Sequence, residues 1–316
     1  MSLLDIVLGY DCNLWCDYCT ITKEMRERAL TARQVVHAMR QARREGYERV
    51  ALTGGEPSIR SDLLPLIREA RKLGFCDIKL QTNGLLLAEA ANVARLVEAG
   101  VTRFHVSIHT HRPTEYERLV RREGTFPLLV QALENLVQMK ASCASTRLEC
   151  VAEVILKEDT YRHLPEALAW IHSFGMREAW LWFVSLTDGN RHNLESLPKM
   201  IDVIPFVETA LKQVPEIKIR SLHLPICLLG PSLQHIHLNP AEEGVRVLSP
   251  DGMFDLSDAK LTPNTHTQVC EECDDRRRCP GMRRDYLDVF GDVEIASAKG
   301  ESPSVGARRL QVLPVP

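Results

Sequence analysis

The chain has 316 residues, 45% of them hydrophobic, which is enough for one large domain and a smaller one. Its net charge of −3 excludes the strongly basic field of a protein that binds nucleic acid or an anionic membrane. It has no run of about 18 apolar residues and no signal peptide, so we expect a cytoplasmic protein without membrane spans. In that compartment its ten cysteines indicate metal ligands rather than disulfides.

A repeated unit organises the first two thirds of the sequence: an amphipathic helix, a glycine and then a short apolar strand. Thr31 and Gln34 form a capping-box pattern at the start of the first helix. Helices between consecutive strands require parallel pairing through right-handed crossovers. The sequence therefore predicts an α/β fold, a partial (β/α)6 barrel. Its six predicted strands are Leu3–Leu8, Val50–Thr53, Ile78–Thr82, Phe104–Ile108, Leu148–Leu156 and Ala179–Val184.

Unusual residues follow four consecutive strands at the carboxyl edge of the predicted sheet, where barrels of this kind carry their chemistry. Three cysteines follow the first strand, Gly54-Gly55-Glu56-Pro57 follows the second, Asn83-Gly84 follows the third, and Ser107 and His109 end the fourth. Gly-Gly-Glu-Pro and Asn-Gly alone are each typical of a turn, and a serine at the end of a strand is common. Together they indicate one functional site, in which His109 could donate or accept a proton.

The three cysteines are Cys12, Cys16 and Cys19. An iron–sulfur cluster of the cube type normally takes four cysteine ligands, so three would leave one iron open to a small molecule. A zinc site is the alternative, although no histidine lies nearby before His37.

The Cys-x3-Cys-x2-Cys spacing with Tyr18 before the last cysteine, followed one strand later by Gly-Gly-Glu-Pro, resembles the radical S-adenosylmethionine (radical SAM) superfamily over roughly residues 3–185. The resemblance implies that the three cysteines ligate a [4Fe-4S] cluster whose open iron binds SAM. It also implies contacts with SAM for Tyr18 (adenine), for Gly54, Gly55, Glu56 and Pro57 (amino group), for Thr82, Asn83 and Ser107 (ribose or carboxylate) and for Arg121 (carboxylate).

In that family the reduced cluster passes an electron to SAM, which splits into methionine and a 5′-deoxyadenosyl radical that takes a hydrogen atom from the substrate. The resemblance therefore implies a reducing partner protein such as flavodoxin or ferredoxin.

A second group of cysteines follows the predicted barrel: Cys227, Cys270, Cys273 and Cys279. Between them, Gly244–Leu248 and Met253–Leu256 flank a Pro-Asp-Gly turn and predict a β-hairpin. Four cysteines suit either structural zinc or a second cluster. The Cys-x2-Cys-x5-Cys spacing resembles the auxiliary SPASM and twitch regions in a reduced form, which implies one auxiliary [4Fe-4S] cluster. If Cys227 is not its fourth ligand, that cluster has an open iron.

These observations predict three parts: a radical SAM partial barrel (1–215), an auxiliary-cluster domain made of the hairpin and helices (216–297), and a flexible tail (298–316). Three further cysteines, Cys76, Cys143 and Cys150, are interpreted as buried thiols. The basic cluster of Arg276–Arg278, Arg283 and Arg284 is interpreted as a solvated face, and the alternative is a contact surface for an anionic substrate or an electron-donor protein.

The function that the sequence favours is an oxidative modification of a peptide, by crosslinking, dehydrogenation or epimerisation, in natural-product maturation. The first alternative is the same radical chemistry on a small metabolite, such as a sugar, aminocyclitol, amino acid or nucleoside precursor. The second is a non-catalytic iron–sulfur electron carrier, against which the Gly-Gly-Glu-Pro motif argues. A molybdenum-cofactor cyclase is disfavoured, because such cyclases end in Gly-Gly whereas this sequence ends Leu313-Pro-Val-Pro316.

Overall fold

The computed structural model describes residues 2–142, 148–239, 244–258 and 265–300. The described residues form a nine-stranded sheet in the order β7-β6-β5-β4-β3-β2-β1-β8-β9. All neighbouring strands pair in parallel except β8 and β9. The strands are β1 (Leu3–Val7), β2 (Arg49–Thr53), β3 (Asp77–Thr82), β4 (Arg103–Ser107), β5 (Glu149–Leu156), β6 (Glu178–Phe183), β7 (Lys218–Arg220), β8 (Val245–Ser249) and β9 (Gly252–Asp255).

Helices connect the parallel strands and cover one face of the sheet. They are α1 (Ala32–Arg44), α2 (Leu63–Lys72), α3 (Ala90–Ala99), α4 (Pro113–Val120), α5 (Phe126–Ser142), α6 (Leu164–Ser173) and α7 (Met200–Gln213). Two further helices, α8 (Arg284–Phe290) and α9 (Val293–Lys299), follow β9. The predicted capping box begins α1: Gln34 N donates to the Thr31 hydroxyl, and the Gln34 side chain accepts from Thr31 N at 2.9 Å. No helix in the described ranges is long and apolar enough to cross a membrane.

The predicted partial barrel is confirmed, with each predicted strand present to within a few residues. The three-residue strand β7 was not predicted, because it is too short to carry an alternating pattern.

The two faces of the sheet differ in character. In β4, Phe104 and Val106 are fully buried in the core, whereas Ser107 points to the other face and is half-buried. Residues paired side by side in parallel strands share a face. The register pairs Ser107 with Glu153 and Glu153 with Trp180, so all three lie on this inner face. The core therefore lies under the helices, and the inner face carries polar and aromatic side chains.

The predicted hairpin is confirmed as β8–β9, but it does not stand apart from the barrel. Its first strand pairs in parallel with β1, from Leu3 with Val245 to Ile6 with Leu248. This pairing satisfies the backbone groups that β1 would otherwise expose as an edge strand. The predicted boundary at residue 216 assigns the hairpin to a separate domain, whereas the described residues place it in the barrel sheet.

Buried polar contacts join the C-terminal helices to the barrel. Arg283 pairs with Asp285 and donates to the carbonyls of Phe183 and Val184, at 3.2 and 3.0 Å. It is 5% exposed, so its interpretation as part of a solvated face is wrong. A guanidinium carries five donors in a rigid fork, and here those donors bind the carboxyl end of β6.

Candidate functional site

The three N-terminal cysteines line a single cavity of about 150 Å³ at the carboxyl edge of the sheet. The predicted site residues that line it are Cys12, Cys16, Cys19, Tyr18, Gly54, Gly55, Thr82, Asn83, Ser107 and His109. Gln81 and Tyr116 also line the cavity and were not predicted, because an isolated Gln or Tyr in an apolar segment carries no signal of its own. The four consecutive strand ends thus meet as expected.

Gly54 and Gly55 allow the loop after β2 (the second loop) to lie directly against the loop after β1 that carries Cys12, Cys16 and Cys19 (the cysteine loop). A Cβ on Gly55 would lie 2.1 Å from the Asp11 carbonyl oxygen, and one on Gly54 would lie 2.3 Å from the Gly9 oxygen. The backbones are also bonded, since Gly55 N donates to Gly9 O at 2.9 Å and Glu56 N donates to Asp11 O at 2.8 Å. The space left by the missing Cβ atoms of these glycines is filled by the protein backbone that precedes Cys12.

The side chain of Glu56 joins the second loop to the loop after β3 (the third loop). Its side chain, 2% exposed, accepts hydrogen bonds from Ser58 N (2.9 Å), the Thr82 hydroxyl (2.7 Å) and Asn83 N (2.6 Å). Burial raises the pKa of Glu56, and these donors act in the opposite direction. Glu56 and Pro57 lie behind the cavity rather than on its wall. The Glu56 carboxylate is therefore a structural tie between loops that each line the cavity.

Asn83 connects the third loop to the cysteine loop. Its side-chain nitrogen, Nδ2, donates to Asn13 Oδ1 at 2.7 Å and lies 3.9 Å from Cys12 Sγ. Cys12 Sγ also accepts from Leu14 N at 3.4 Å. N–H groups that point at a cysteine sulfur stabilise the thiolate form that binds iron.

Two basic residues that the sequence did not single out also hold the cysteine loop. Arg26 donates to the Cys12 carbonyl at 2.6 Å and stacks over the exposed Trp15 ring at 3.5 Å. Lys157, 4% exposed, donates to Asp17 at 2.6 Å from the end of β5. Neither residue belongs to a recognisable sequence motif. Lys157 is far from Asp17 along the chain, and Arg26 binds a backbone carbonyl, which every residue has.

His109 and Tyr18 contact each other inside the cavity. His109 is 5% exposed; its Nδ1 accepts from Ile155 N at 3.2 Å, and its Nε2 hydrogen-bonds the Tyr18 hydroxyl. Burial, and next the charge of Lys157, lower the pKa of His109 to about 3. The imidazole is therefore neutral with both nitrogens engaged. The proton-transfer role predicted for His109 stays a prediction.

Arg121 is not brought to the cavity. It ends α4 with a φ of 54° and an exposed side chain, and it is absent from the cavity wall. The next residue, Arg122, turns back instead and donates to the Asn13 carbonyl at 3.1 Å. The predicted contact between Arg121 and SAM is therefore not supported by this geometry.

The donor set fits a cluster. Burial raises the pKa of all three thiols, that of Cys16 to about 12, so iron must displace their protons. In the described ranges no group of three or more His, Cys, Asp or Glu side chains is placed to hold a single metal ion. A four-iron cluster is larger and binds each cysteine to a different iron, which suits three thiols spread around one cavity.

The second group of cysteines also converges. Cys227, Cys270, Cys273 and Cys279 line one small cavity, together with His266, Gly281 and Lys299. Burial, and next the neighbouring Cys279, raise the pKa of Cys227 to about 12. Although Cys227 lies far from the others in sequence, the structure places it beside them. The sequence left zinc and a cluster open as alternatives. Four sulfur donors around one cavity fit the larger cluster better, because in the described ranges no such group is placed to hold a single metal ion.

Of the three cysteines interpreted as buried thiols, Cys76 is exposed, so that interpretation is wrong for it. It directly precedes β3 at the amino edge of the sheet, where its thiol donates to the Glu48 carbonyl at 3.4 Å. Cys150 is half-buried, and Cys143 lies outside the described residues.

Comparison with known proteins decides the family. The model of the Radical SAM superfamily matches residues 6–171, more than half of the chain. The chain belongs to the radical SAM superfamily. It is therefore a radical SAM enzyme, with a [4Fe-4S] cluster and SAM as its cofactors. The carrier alternative is set aside.

Relatives by sequence include molybdenum cofactor biosynthesis protein 1 of Bos taurus, 28% identical over 222 residues, which cover 69% of this chain and 33% of that protein. The GTP 3′,8-cyclase of Aquifex aeolicus is 35% identical over 152 residues, which cover 45% of this chain and 47% of that enzyme. The chain thus matches about a third to a half of the length of these relatives.

Solved structures share the fold. Streptococcus suis SuiB bound to S-adenosylmethionine superposes with a TM-score of 0.64 at 15% identity, covering 84% of this chain and 62% of that one. Methylornithine synthase (PylB) superposes with a TM-score of 0.53 at 12% identity, covering 81% and 76%. At such identities the likeness shows the fold alone.

Proposed function

We propose that this radical SAM enzyme acts on a nucleoside or nucleotide, the small-metabolite alternative, rather than on a peptide. The observation that carries the proposal is the similarity to GTP 3′,8-cyclases and to molybdenum cofactor biosynthesis protein 1. That similarity extends over 222 residues, whereas the superfamily match covers residues 6–171, so it is not confined to the shared motifs. The sequence analysis disfavoured a molybdenum-cofactor cyclase because this sequence does not end in Gly-Gly. The similarity weakens that argument.

The inner face of the barrel supports a planar, anionic substrate. Trp180 and Trp182 stack with ring centroids 5.9 Å apart, and Trp182 Nε1 donates to the Glu153 carboxylate. The register pairs Arg220 with Trp180, which places this guanidinium on the same face as the two indole rings. Nucleobases stack on aromatic rings, and guanidinium groups bind phosphates.

The two cofactors, once bound, supply a 5′-deoxyadenosyl radical that removes a hydrogen atom from a substrate carbon. The chain's own residues hold them: Cys12, Cys16 and Cys19 would ligate the cluster, and the loops at Gly54, Thr82, Asn83 and Ser107 would line the SAM site. We also propose that Cys227, Cys270, Cys273 and Cys279 ligate an auxiliary [4Fe-4S] cluster, since all four line one cavity.

The test is substrate-stimulated SAM cleavage. Anaerobically reconstituted, reduced protein is given SAM with GTP, ATP, a nucleoside or a cysteine-containing peptide, and 5′-deoxyadenosine is quantified. We expect nucleotides to raise the release of 5′-deoxyadenosine. A nucleotide with a deuterated ribose should transfer deuterium into the 5′-deoxyadenosine. Arg220→Met should weaken this stimulation while sparing the release that occurs without substrate. Stimulation by peptides alone would contradict the proposal.

A further inference from the structure

We propose that the outer side of the cysteine loop, centred on the exposed ring of Trp15, is the docking surface for an acidic protein that carries single electrons. One electron would leave the redox centre of this partner and enter the cluster at Cys12, Cys16 and Cys19. The partner is thereby oxidised and the cluster reduced, and no bond forms or breaks. The proposal rests on the radical SAM cluster and is independent of which substrate the enzyme uses.

Trp15 faces away from the cavity that the cysteines line. Its two neighbours, Leu14 and Cys16, are both on the cavity wall, whereas Trp15 is not. Trp15 is 50% exposed, and it is the only one of the four tryptophans, all of them within the described ranges, that is exposed. Tryptophan has a large apolar surface that is usually buried, so an exposed ring beside a cluster ligand indicates a surface that another molecule covers.

Arg26 holds the Trp15 ring in place. Its guanidinium lies 3.5 Å from the ring centroid and donates to the carbonyl oxygens of Cys12 and Leu14. A cation over the face of an indole is attracted by the electrons of the ring. The ring is therefore pre-organised and loses little freedom when a partner covers it. Tryptophan and arginine are also the residue types that most often dominate the binding energy of protein interfaces.

Two further arginines extend this surface at the end of α4. The cysteine loop packs there, since Trp15 N donates to the Val120 carbonyl at 3.4 Å. Arg121 and Arg122 follow Val120 directly. Arg121 has an exposed side chain, and Arg122 donates to the Asn13 carbonyl at 3.1 Å. Both are therefore placed beside the loop and outside the cavity.

The charges of these three arginines indicate an acidic partner. In the part of the chain that the structure describes, none of the three makes an ion pair with a carboxylate, whereas the nearby Arg28 and Arg118 each make one. Exposed carboxylates also adjoin the arginines in sequence, at Glu24, Glu27 and Glu123. The ring should therefore contribute most of the affinity, and the arginines should orient a partner of complementary charge.

The position of the surface identifies the partner as an electron carrier. A protein on the outer side of the cysteine loop touches the backbone that holds the ligands but does not enter the cavity. It can therefore deliver an electron but no larger group. SAM cleavage in this superfamily consumes one electron, so the chemistry requires such a delivery. Interfaces of electron-transfer proteins are small, and a single loop with one helix end can provide one.

The experiment uses the full-length reconstituted protein and flavodoxin, an acidic one-electron carrier. Isothermal titration calorimetry under anaerobic conditions measures the Kd of flavodoxin. Stopped-flow absorbance measures the rate of cluster reduction, either by reduced flavodoxin below saturation or by dithionite. Dithionite is a small molecule that needs no docking surface, so it reports whether the cluster itself has changed.

Trp15→Gln should raise the Kd of flavodoxin about tenfold and slow reduction by flavodoxin to a similar extent, with the dithionite rate unchanged. Ile201→Gln, at a side chain that is 47% exposed on α7, is the matched control and should change none of the three values. A wild-type Kd in Trp15→Gln protein would overturn the proposal. An equal slowing with dithionite would also overturn it, because Trp15 would then act on the cluster rather than on docking.

Two charge variants test the surface even if Trp15→Gln protein fails to hold iron. Arg121→Asn removes a positive charge at a φ of 54°, which asparagine tolerates, and should raise the Kd about threefold. Glu123→Gln removes a negative charge and should lower the Kd by a similar factor. Shifts in the same direction, or no shift in either variant, would overturn the proposal.

Two other outcomes would assign the surface differently and would likewise overturn the proposal. A larger effect of Arg277→Gln, in the exposed basic run beside the second cavity, would place flavodoxin there instead. A changed oligomeric state of Trp15→Gln protein in size-exclusion chromatography, with unchanged flavodoxin affinity, would show that a second copy of the chain covers Trp15. None of these measurements uses a substrate, so the proposal and the proposed function fail independently.

Discussion

The Thr82 hydroxyl donates a hydrogen bond of 2.7 Å to the buried carboxylate of Glu56. These two residues belong to different loops, one after β3 and one after β2, and the same carboxylate also accepts from Asn83 N. Since the Asn83 side chain in turn bonds Asn13 in the cysteine loop, the side chains of Glu56 and Asn83 together tie three strand ends. The cavity around the cysteines is therefore held in shape before any cofactor binds.

Glu56→Gln should destabilise the protein by about 1–3 kcal/mol, because the amide nitrogen of Gln would face a backbone N–H and leave a buried donor unpaired. The free energy of unfolding from urea titrations measures this effect. Glu69→Gln is the matched control, since Glu69 makes an ion pair with the largely exposed Arg40, and such pairs contribute below about 1 kcal/mol. Equal effects of the two substitutions would contradict the role of Glu56.

Gly55→Ala should displace the cysteine loop and reduce the iron content of reconstituted protein. The added Cβ would lie 2.1 Å from the Asp11 oxygen and 2.5 Å from the Tyr10 oxygen, and backbone atoms cannot rotate aside. Gly230→Ala is the control: neither glycine has a positive φ, and a Cβ on Gly230 meets nothing within 4 Å. Iron and sulfide analysis of both variants measures the difference, and normal iron content in Gly55→Ala protein would show that the loop tolerates the shift.

The parts of the fold that follow from local pattern could be predicted from the sequence. The β–α alternation, the Thr31–Gln34 capping box and the Pro-Asp-Gly turn each depend on residues close together in the chain, and all three are present in the structure. The meeting of four strand ends follows from parallel pairing alone.

The features that the sequence did not reveal depend on long-range packing. Nothing local indicates that β8 pairs with β1, because the edge of β1 exposes only backbone groups. Arg283 lies in a basic run that is typical of surface, and only its contacts with Phe183 and Val184 show it to be buried. Local sequence likewise could not show that Arg122, rather than Arg121, turns back to the cysteine loop.

Replacement of Cys12, Cys16 and Cys19 together by Ala should remove about half of the iron. The reconstituted wild-type protein should hold about eight irons, four in each cluster. Replacement of Cys227 by Ala should alter the spectrum of the second cluster alone, because its thiol belongs to the other cavity. Cys76→Ala, at an exposed cysteine remote from both cavities, is the control and should leave the iron content unchanged. Loss of all iron from the triple variant, or zinc at the second cavity, would contradict the two-cluster proposal.

His109 should make the folded protein less stable as the pH falls below about 6.5. Its pKa is lowered from 6.5 to about 3 by burial, so between these values the unfolded state binds a proton that the folded state does not. Stability therefore rises with pH across this range, and at pH 5.5 the loss from this single group is about 1.4 kcal/mol relative to pH 8. His109→Asn keeps an acceptor for Ile155 N and cannot titrate, so its free energy of unfolding should fall less over the same interval. Urea titrations of both proteins at pH 8 and 5.5 measure the difference, and parallel pH dependences would show that His109 is protonated as readily in the folded protein as in the unfolded chain.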